Sequence, residues 1–218
     1  PATGFSEKNR PFLSAPDLPH NTRLIRSHHS AIMLAYLYTK EVCRMDCLLM
    51  RHGIAVEMAE WSDLDDTRPL TDQGRKKVRQ VAKGLAAMGL APTHLFTSPL
   101  TRARETAAIV NAILCPSVTL SLCKALEPGS TPQFLTTFLR TLPDRSIVLC
   151  VGHEPLLGTT GGYLLSGQTS QNYPMKKAGV GMIHLPGPAR AGEGLLHWWC
   201  TPAQLRALGR AKKEQDND

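Results

Sequence analysis

Arg51 and His52 end a short apolar run, MDCLLMRHG, and His153 ends a second, SIVLCVGH; Ser98 and Arg102 follow a third, THLFT. Histidine is a nucleophile at neutral pH that can take a phosphoryl group on a ring nitrogen and release it to water as a labile phosphoramidate. Arginine presents a planar fork of donors suited to phosphate oxygens, and two of them neutralise charge on a transferring group. Nearby guanidinium charge disfavours the imidazolium form, which keeps the attacking ring neutral. Gly53 lets the backbone leave the strand without a side chain in the way of the phosphate. In open α/β sheets, ligands bind beyond the carboxyl ends of the strands. If the three runs are parallel neighbours, two histidines and two arginines converge on one crevice suited to phosphoryl transfer.

The elements needed to position these residues are legible as an alternation. CLLM at 47–50 reads as a buried strand, followed by an Asp-rich loop, EMAEWSDLDDTRPL. Thr71 is an N-cap for a helix to about Gly89, with Val78, Val81, Leu85 and Met88 on one face and Gly89 as its stop. THLFTS at 93–98 is a second strand, and Thr101 to about Leu114 a helix. Val118 to Leu120 is a short strand, and Thr131 to Leu142 a helix opened by Pro132. SIVLCVG at 146–152 is an unbroken apolar run, as expected at the centre of a parallel sheet. A helix around 155–166 and strands near 179–185 and 194–199 complete the pattern. Strands alternating with helices predict a three-layer α/β/α sandwich around a mostly parallel sheet.

Composition narrows the partners. The chain has 218 residues, 25 Lys plus Arg against 18 acidic residues, and a formal charge of +7. Residues 1–44 carry six basic and three acidic groups, 45–205 carry fifteen and twelve, and 206–218 carry four and three. The middle segment is only mildly basic, which argues against nucleic acid as a partner and for a local cationic pocket facing a small anion. No stacking surface of aromatic and basic residues is visible. The longest early apolar stretch, AIMLAYLY at 31–38, is far short of the roughly 20 residues needed to span a bilayer, so no membrane partner is expected. Six cysteines without a CxxC pair fit a reducing, cytoplasmic setting. No third ligand stands near His28 and His29 at a recognised spacing, so no metal and no cofactor is expected. Residues 1–44 read as a mobile, partly helical extension dispensable to a domain over 45–205, and residues 206–218 as a disordered charged tail.

RHG after a first strand, RPLTDQGRKK, LFTSPLTRARETA and VGHEPLLG occur in the order and spacing of the histidine phosphatase superfamily, which has the phosphoglycerate-mutase-like fold. The compact spacing most resembles the SixA-type phosphohistidine phosphatases, over about residues 45–200. The resemblance implies that His52 accepts the phosphoryl group and that Arg51, Arg102 and His153 complete the phosphate pocket. It implies a further phosphate or substrate contact for Arg68, in RPLT. Arg102 holds the family's arginine position in SPLTR, at a helix start where free backbone N–H groups favour anions; Arg104 falls on a different helical face.

Mutases and many phosphatases of the superfamily also place a carboxylate that protonates a leaving oxygen, whereas the SixA-type members typically lack it. Glu127, in LEPGST, is either that acid or a loop carboxylate. A phosphohistidine needs less help, because its imidazole leaves readily once protonated. Asp63, Asp65 and Asp66 form a solvated loop beside Arg68 that could orient it or repel the wrong substrate. Glu154 is a supporting or exposed carboxylate, and Lys176 and Lys177 border the pocket mouth or form an exposed basic turn. Trp198 and Trp199 are architectural. The expected activity is removal of phosphate from phosphohistidine on a protein in a phosphorelay or phosphocarrier system. The alternatives are hydrolysis of a small phosphate monoester, such as a sugar phosphate or nucleotide, by the same nucleophile, and noncatalytic binding of a phospho-ligand.

Overall fold

The computed structural model describes residues 45–170 and 172–215, and the expectation for residues 1–44 lies outside them. Strand β1 (Met45–Arg51) is followed by two 3-10 turns, Met58–Glu60 and Asp65–Thr67, and by helix α1 (Asp72–Ala87). Then come β2 (His94–Thr97), α2 (Thr101–Leu114), β3 (Leu120–Leu122), a 3-10 turn at Lys124–Leu126, α3 (Pro132–Leu139) and β4 (Ser146–Gly152). The chain continues through α4 (Leu156–Ser166), β5 (Val180–Leu185), β6 (Leu195–Cys200) and α5 (Pro202–Gln215).

Local chemistry accounts for the boundaries. The Thr71 side chain accepts from the Gly74 N–H at 2.9 Å and opens α1, and Gly89 just past its end takes a left-handed φ of 73°. Thr131 accepts from Phe134 N–H at 3.2 Å and Pro132 occupies the first turn of α3. The six strands form one sheet in the order β3-β2-β4-β1-β5-β6. The first four in that order pair in parallel, while β5 runs antiparallel to β1 and β6 antiparallel to β5.

Side chains from both faces of β1 are fully buried. Cys47 and Leu49 share a core with Leu135 and Leu139 of α3 and Leu157 and Leu164 of α4. Leu48 and Met50 point the other way by strand alternation, and α1 packs beside α2 and α5. This is the expected three-layer arrangement with a mostly parallel sheet. Trp199 closes one flank, with its ring over Gly161 and Gly181 and its Nε1–H on the Pro174 carbonyl at 3.3 Å.

The expectation of a disordered tail from residue 206 is corrected, because α5 runs on to Gln215. Thr201 and Gln204 form a reciprocal cap: the Gln204 Oε1 accepts from Thr201 N–H at 2.8 Å and the Thr201 hydroxyl accepts from Gln204 N–H at 3.4 Å. Leu205 is fully buried, and a Cβ on Gly84 would overlap the Leu205 carbonyl, so α1 and α5 meet backbone to backbone. Gly84→Ala should therefore destabilise the domain by about 1–3 kcal/mol through overpacking, outweighing the roughly 1 kcal/mol that alanine gains in helix propensity. Chemical denaturation of the variant should show a lower midpoint; an equal or higher one would contradict this packing.

Candidate active site

Strand register determines where the functional residues stand. Arg51 pairs with Gly152 across β1 and β4, and Thr97 with Val151 across β2 and β4. The next residue of each strand, His52, His153 and Ser98, therefore leaves the sheet at one edge. His52 N–H donates to the Gly152 carbonyl at 3.0 Å and Ser98 N–H to the Val151 carbonyl at 2.9 Å. The His52 and His153 rings lie 5.0 Å apart, centroid to centroid, and tilted by 56°. His153 Nε2 is 2.9 Å from the Ser98 hydroxyl.

His52 Nδ1 lies 2.7 Å from the Gly53 carbonyl. A carbonyl can only accept, so the neutral ring carries its proton on Nδ1 and keeps the lone pair on Nε2. Burial is the largest cause that lowers the His52 pKa, to about 3; His153, Arg102 and Arg51 lower it further, while the Gly53 hydrogen bond opposes them. Burial likewise leads in lowering His153 to about 4, with Arg102 next. The expected effect of guanidinium charge is present but secondary: desolvation chiefly keeps both rings neutral.

Arg51 extends Nη1 to the Met175 carbonyl at 2.8 Å, and Met175 N–H donates to Glu154 Oε1 at 2.8 Å. Glu154, read from sequence as supporting or exposed, is half-buried and anchors this turn; burial raises its pKa. Ala178 N–H closes the turn onto the carbonyls of Arg51 and His52 at 3.1 and 3.0 Å. Lys177 reaches back to Glu57 at 3.5 Å, and Lys176 is exposed.

Arg102 stands in the first turn of α2 and is 5% exposed, whereas Arg104 faces solvent. Its Nη1 donates to the Asp65 carbonyl at 2.7 Å and its Nη2 to Asp65 Oδ2 at 3.0 Å. Arg68 donates from Nε to Asp65 Oδ1 at 2.9 Å and from Nη1 to the Val56 carbonyl at 2.6 Å. Three expected phosphate ligands, Arg51, Arg102 and His153, thus surround His52, while Arg68 is joined to Arg102 through Asp65. The Nε groups of Arg51 and Arg102 are buried and have no acceptor among the described residues. Buried charged donors seek acceptors, and an oxyanion would supply them.

Gly53, expected to clear the way for a phosphate, also sits where a side chain has no room. A Cβ there would meet Val78 Cγ2 at 2.6 Å and Leu70 at 3.3 Å, so glycine permits close packing of the strand end under α1. Its N–H donates to the Thr106 hydroxyl at 3.0 Å, which in turn donates to the Arg102 carbonyl at 2.7 Å. Thr106 and Met175 are supports that the sequence reading did not single out; a hydroxyl one helical turn after Arg102 was the only signal for the first. Glu127 is half-buried just past the 3-10 turn Lys124–Leu126.

The expected ring states are measurable. In imidazole nitrogen NMR, His52 should remain neutral at pH 5.5 with its proton on Nδ1; a doubly protonated His52 at that pH would contradict the geometry. Both folded pKa values lie below the unfolded value of 6.5, so the unfolded chain binds more protons in acid. Stability from these rings should be complete above pH 6.5 and fall as the pH drops toward 4 and 3.

Residues 47–126 match the model of the histidine phosphatase superfamily, branch 1. An uncharacterized protein of Picosynechococcus sp. is 39% identical over 140 residues, covering 62% of this chain and 82% of its own. Phosphohistidine phosphatase SixA of Escherichia coli K12 is 26% identical over 165 residues, covering 74% and 97%. A solved structure of the protein histidine phosphatase SixA with tungstate superposes with a TM-score of 0.64 at 26% identity, covering 74% of this chain and 99% of that one.

Proposed function

The chain belongs to the histidine phosphatase superfamily, and from that premise we propose that it removes phosphate from phosphohistidine on a protein by way of a phosphorylated His52. The observation that carries this reading is the buried, neutral His52, its Nδ1 on the Gly53 carbonyl and its ring beside His153, Arg51 and Arg102. Nε2 attacks phosphorus, forming a P–N bond while the P–N bond of the substrate breaks in line. The leaving imidazole departs neutral, because its other nitrogen has taken a proton from solvent. The Gly53 carbonyl faces the Nδ1–H of the phosphorylated ring and balances its positive charge. Water then attacks phosphorus, the P–Nε2 bond breaks, and the proton of the water passes to solvent as phosphate leaves.

Arg51, Arg102 and His153 stabilise charge on the equatorial oxygens through donors already fixed in position. Preference for phosphohistidine is supported by the similarity to SixA along nearly its whole length. A phosphohistidine also needs less help in leaving, since an alkoxide would need an acid that an imidazole does not. Exposed Met58 and Leu64, on the loop that carries Asp65 and Arg68, suit contact with a protein surface. We further propose a reducing, cytoplasmic setting, which the six cysteines without a CxxC pair support.

A panel comparing a phosphohistidine protein with sugar phosphates and nucleotides under one set of conditions tests the substrate class. The phosphohistidine protein should give the highest kcat/KM, and a sugar phosphate or nucleotide in first place would overturn the assignment. His52→Ala should lower turnover on the order of a thousandfold or more with an unchanged circular dichroism spectrum. Full activity in that variant would remove His52 from the mechanism.

A further inference from the structure

Asp65 binds both arginines on one side of the pocket. Its Oδ1 accepts Nε and Nη2 of Arg68, both at 2.9 Å, and its Oδ2 accepts Nη2 of Arg102 at 3.0 Å. Its backbone carbonyl takes the Arg102 Nη1 at 2.7 Å, and Arg68 Nη1 is taken by Val56. One carboxylate therefore cancels one of two guanidinium charges and fixes the orientation of both. Arg102 is left presenting its buried Nε as the donor without a protein acceptor among the described residues. Yet the Asp65 side chain is 38% exposed, and its negative charge reaches the His153 ring.

We propose that Asp65 sets the charge selectivity of this pocket: it admits one phosphoryl group on an uncharged carrier and turns away a second anionic group close to it. This rests on the phosphatase reading above and extends it to a substrate class, that of a phosphoryl group on a neutral ring or side chain. A polyphosphate, or a phosphate ester with an adjacent carboxylate, would bring its second anion against a fixed carboxylate whose two arginines are already engaged. Hydrogen bonds from Arg68 and Arg102 outweigh the opposing effect of burial and hold the Asp65 carboxyl below its ordinary pKa, so its charge persists at neutral pH. A unit charge acting over about 8 Å through an effective dielectric of about 30 changes affinity about tenfold.

The test is binding, not turnover. Calorimetry would measure inorganic phosphate and the non-hydrolysable methylenediphosphonate on the full chain, on Asp65→Asn and on Asp66→Asn. Asparagine keeps the shape and an acceptor for one arginine, and the backbone bond to Arg102 does not depend on the side chain. Asp66→Asn removes the same charge from the adjacent residue. Wild type should prefer phosphate, and Asp65→Asn should shift the affinity ratio about tenfold toward the bisphosphonate, with a smaller shift in Asp66→Asn. An unchanged ratio in Asp65→Asn, an equal shift in Asp66→Asn, or no binding of either anion to wild type would overturn the proposal. Turnover is scored separately: an active enzyme with an unchanged ratio removes Asp65 alone, and a shifted ratio without phosphatase activity removes the catalytic reading alone.

Discussion

Parallel hydrogen bonding of β1 and β2 to the central β4 is the constraint on which the site depends. It pairs Arg51 with Gly152 and Thr97 with Val151, so His52, His153 and Ser98 leave the sheet at a common edge. A slip of one residue in either pairing would turn the side chains to the opposite face. The fully buried residues on both faces of β1 exclude such a slip, because it would exchange the contents of two separate cores. Packing that looks remote from the chemistry is thus what fixes the distance between two imidazoles.

The pocket is built from opposed electrostatic demands. In the proposed mechanism, guanidinium groups receive an oxyanion and a neutral imidazole attacks it. Desolvation meets the second demand, since it penalises the charged ring without adding negative charge that would compete with phosphate. The arginines are managed one by one: Arg51 leans on a backbone carbonyl, whereas Arg68 and Arg102 share Asp65. Each is held in orientation by these contacts, the preorganisation that the proposed electrostatic stabilisation requires.

Much of this was legible in sequence because the chemistry sits at strand ends, where hydrophobic pattern and polar punctuation coincide. Strand β4 at Ser146–Gly152 agrees residue for residue with the expected run, and α2 begins at the expected Thr101 and ends at Leu114, about where expected. What escaped were tertiary contacts between segments far apart in the chain. The Asp65 bond to Arg102, the Met175 carbonyl on Arg51 and the packing of Gly53 against Val78 belong to no motif, since each depends on segments meeting across the fold. The misread tail has another cause. Its charged composition concealed a capping pair, Thr201 and Gln204, and a glycine contact with α1 that small residues alone can make.

The proposed catalysis turns on covalent transfer to His52. Rapid mixing with a phosphohistidine protein, followed by alkaline quenching and mass spectrometry of the peptide around residue 52, tests that directly. A base-stable, acid-labile phosphoryl group on the imidazole of His52 should form and decay at the rate of turnover. Turnover without any phosphorylated His52, or with the phosphoryl group on another residue, would contradict it.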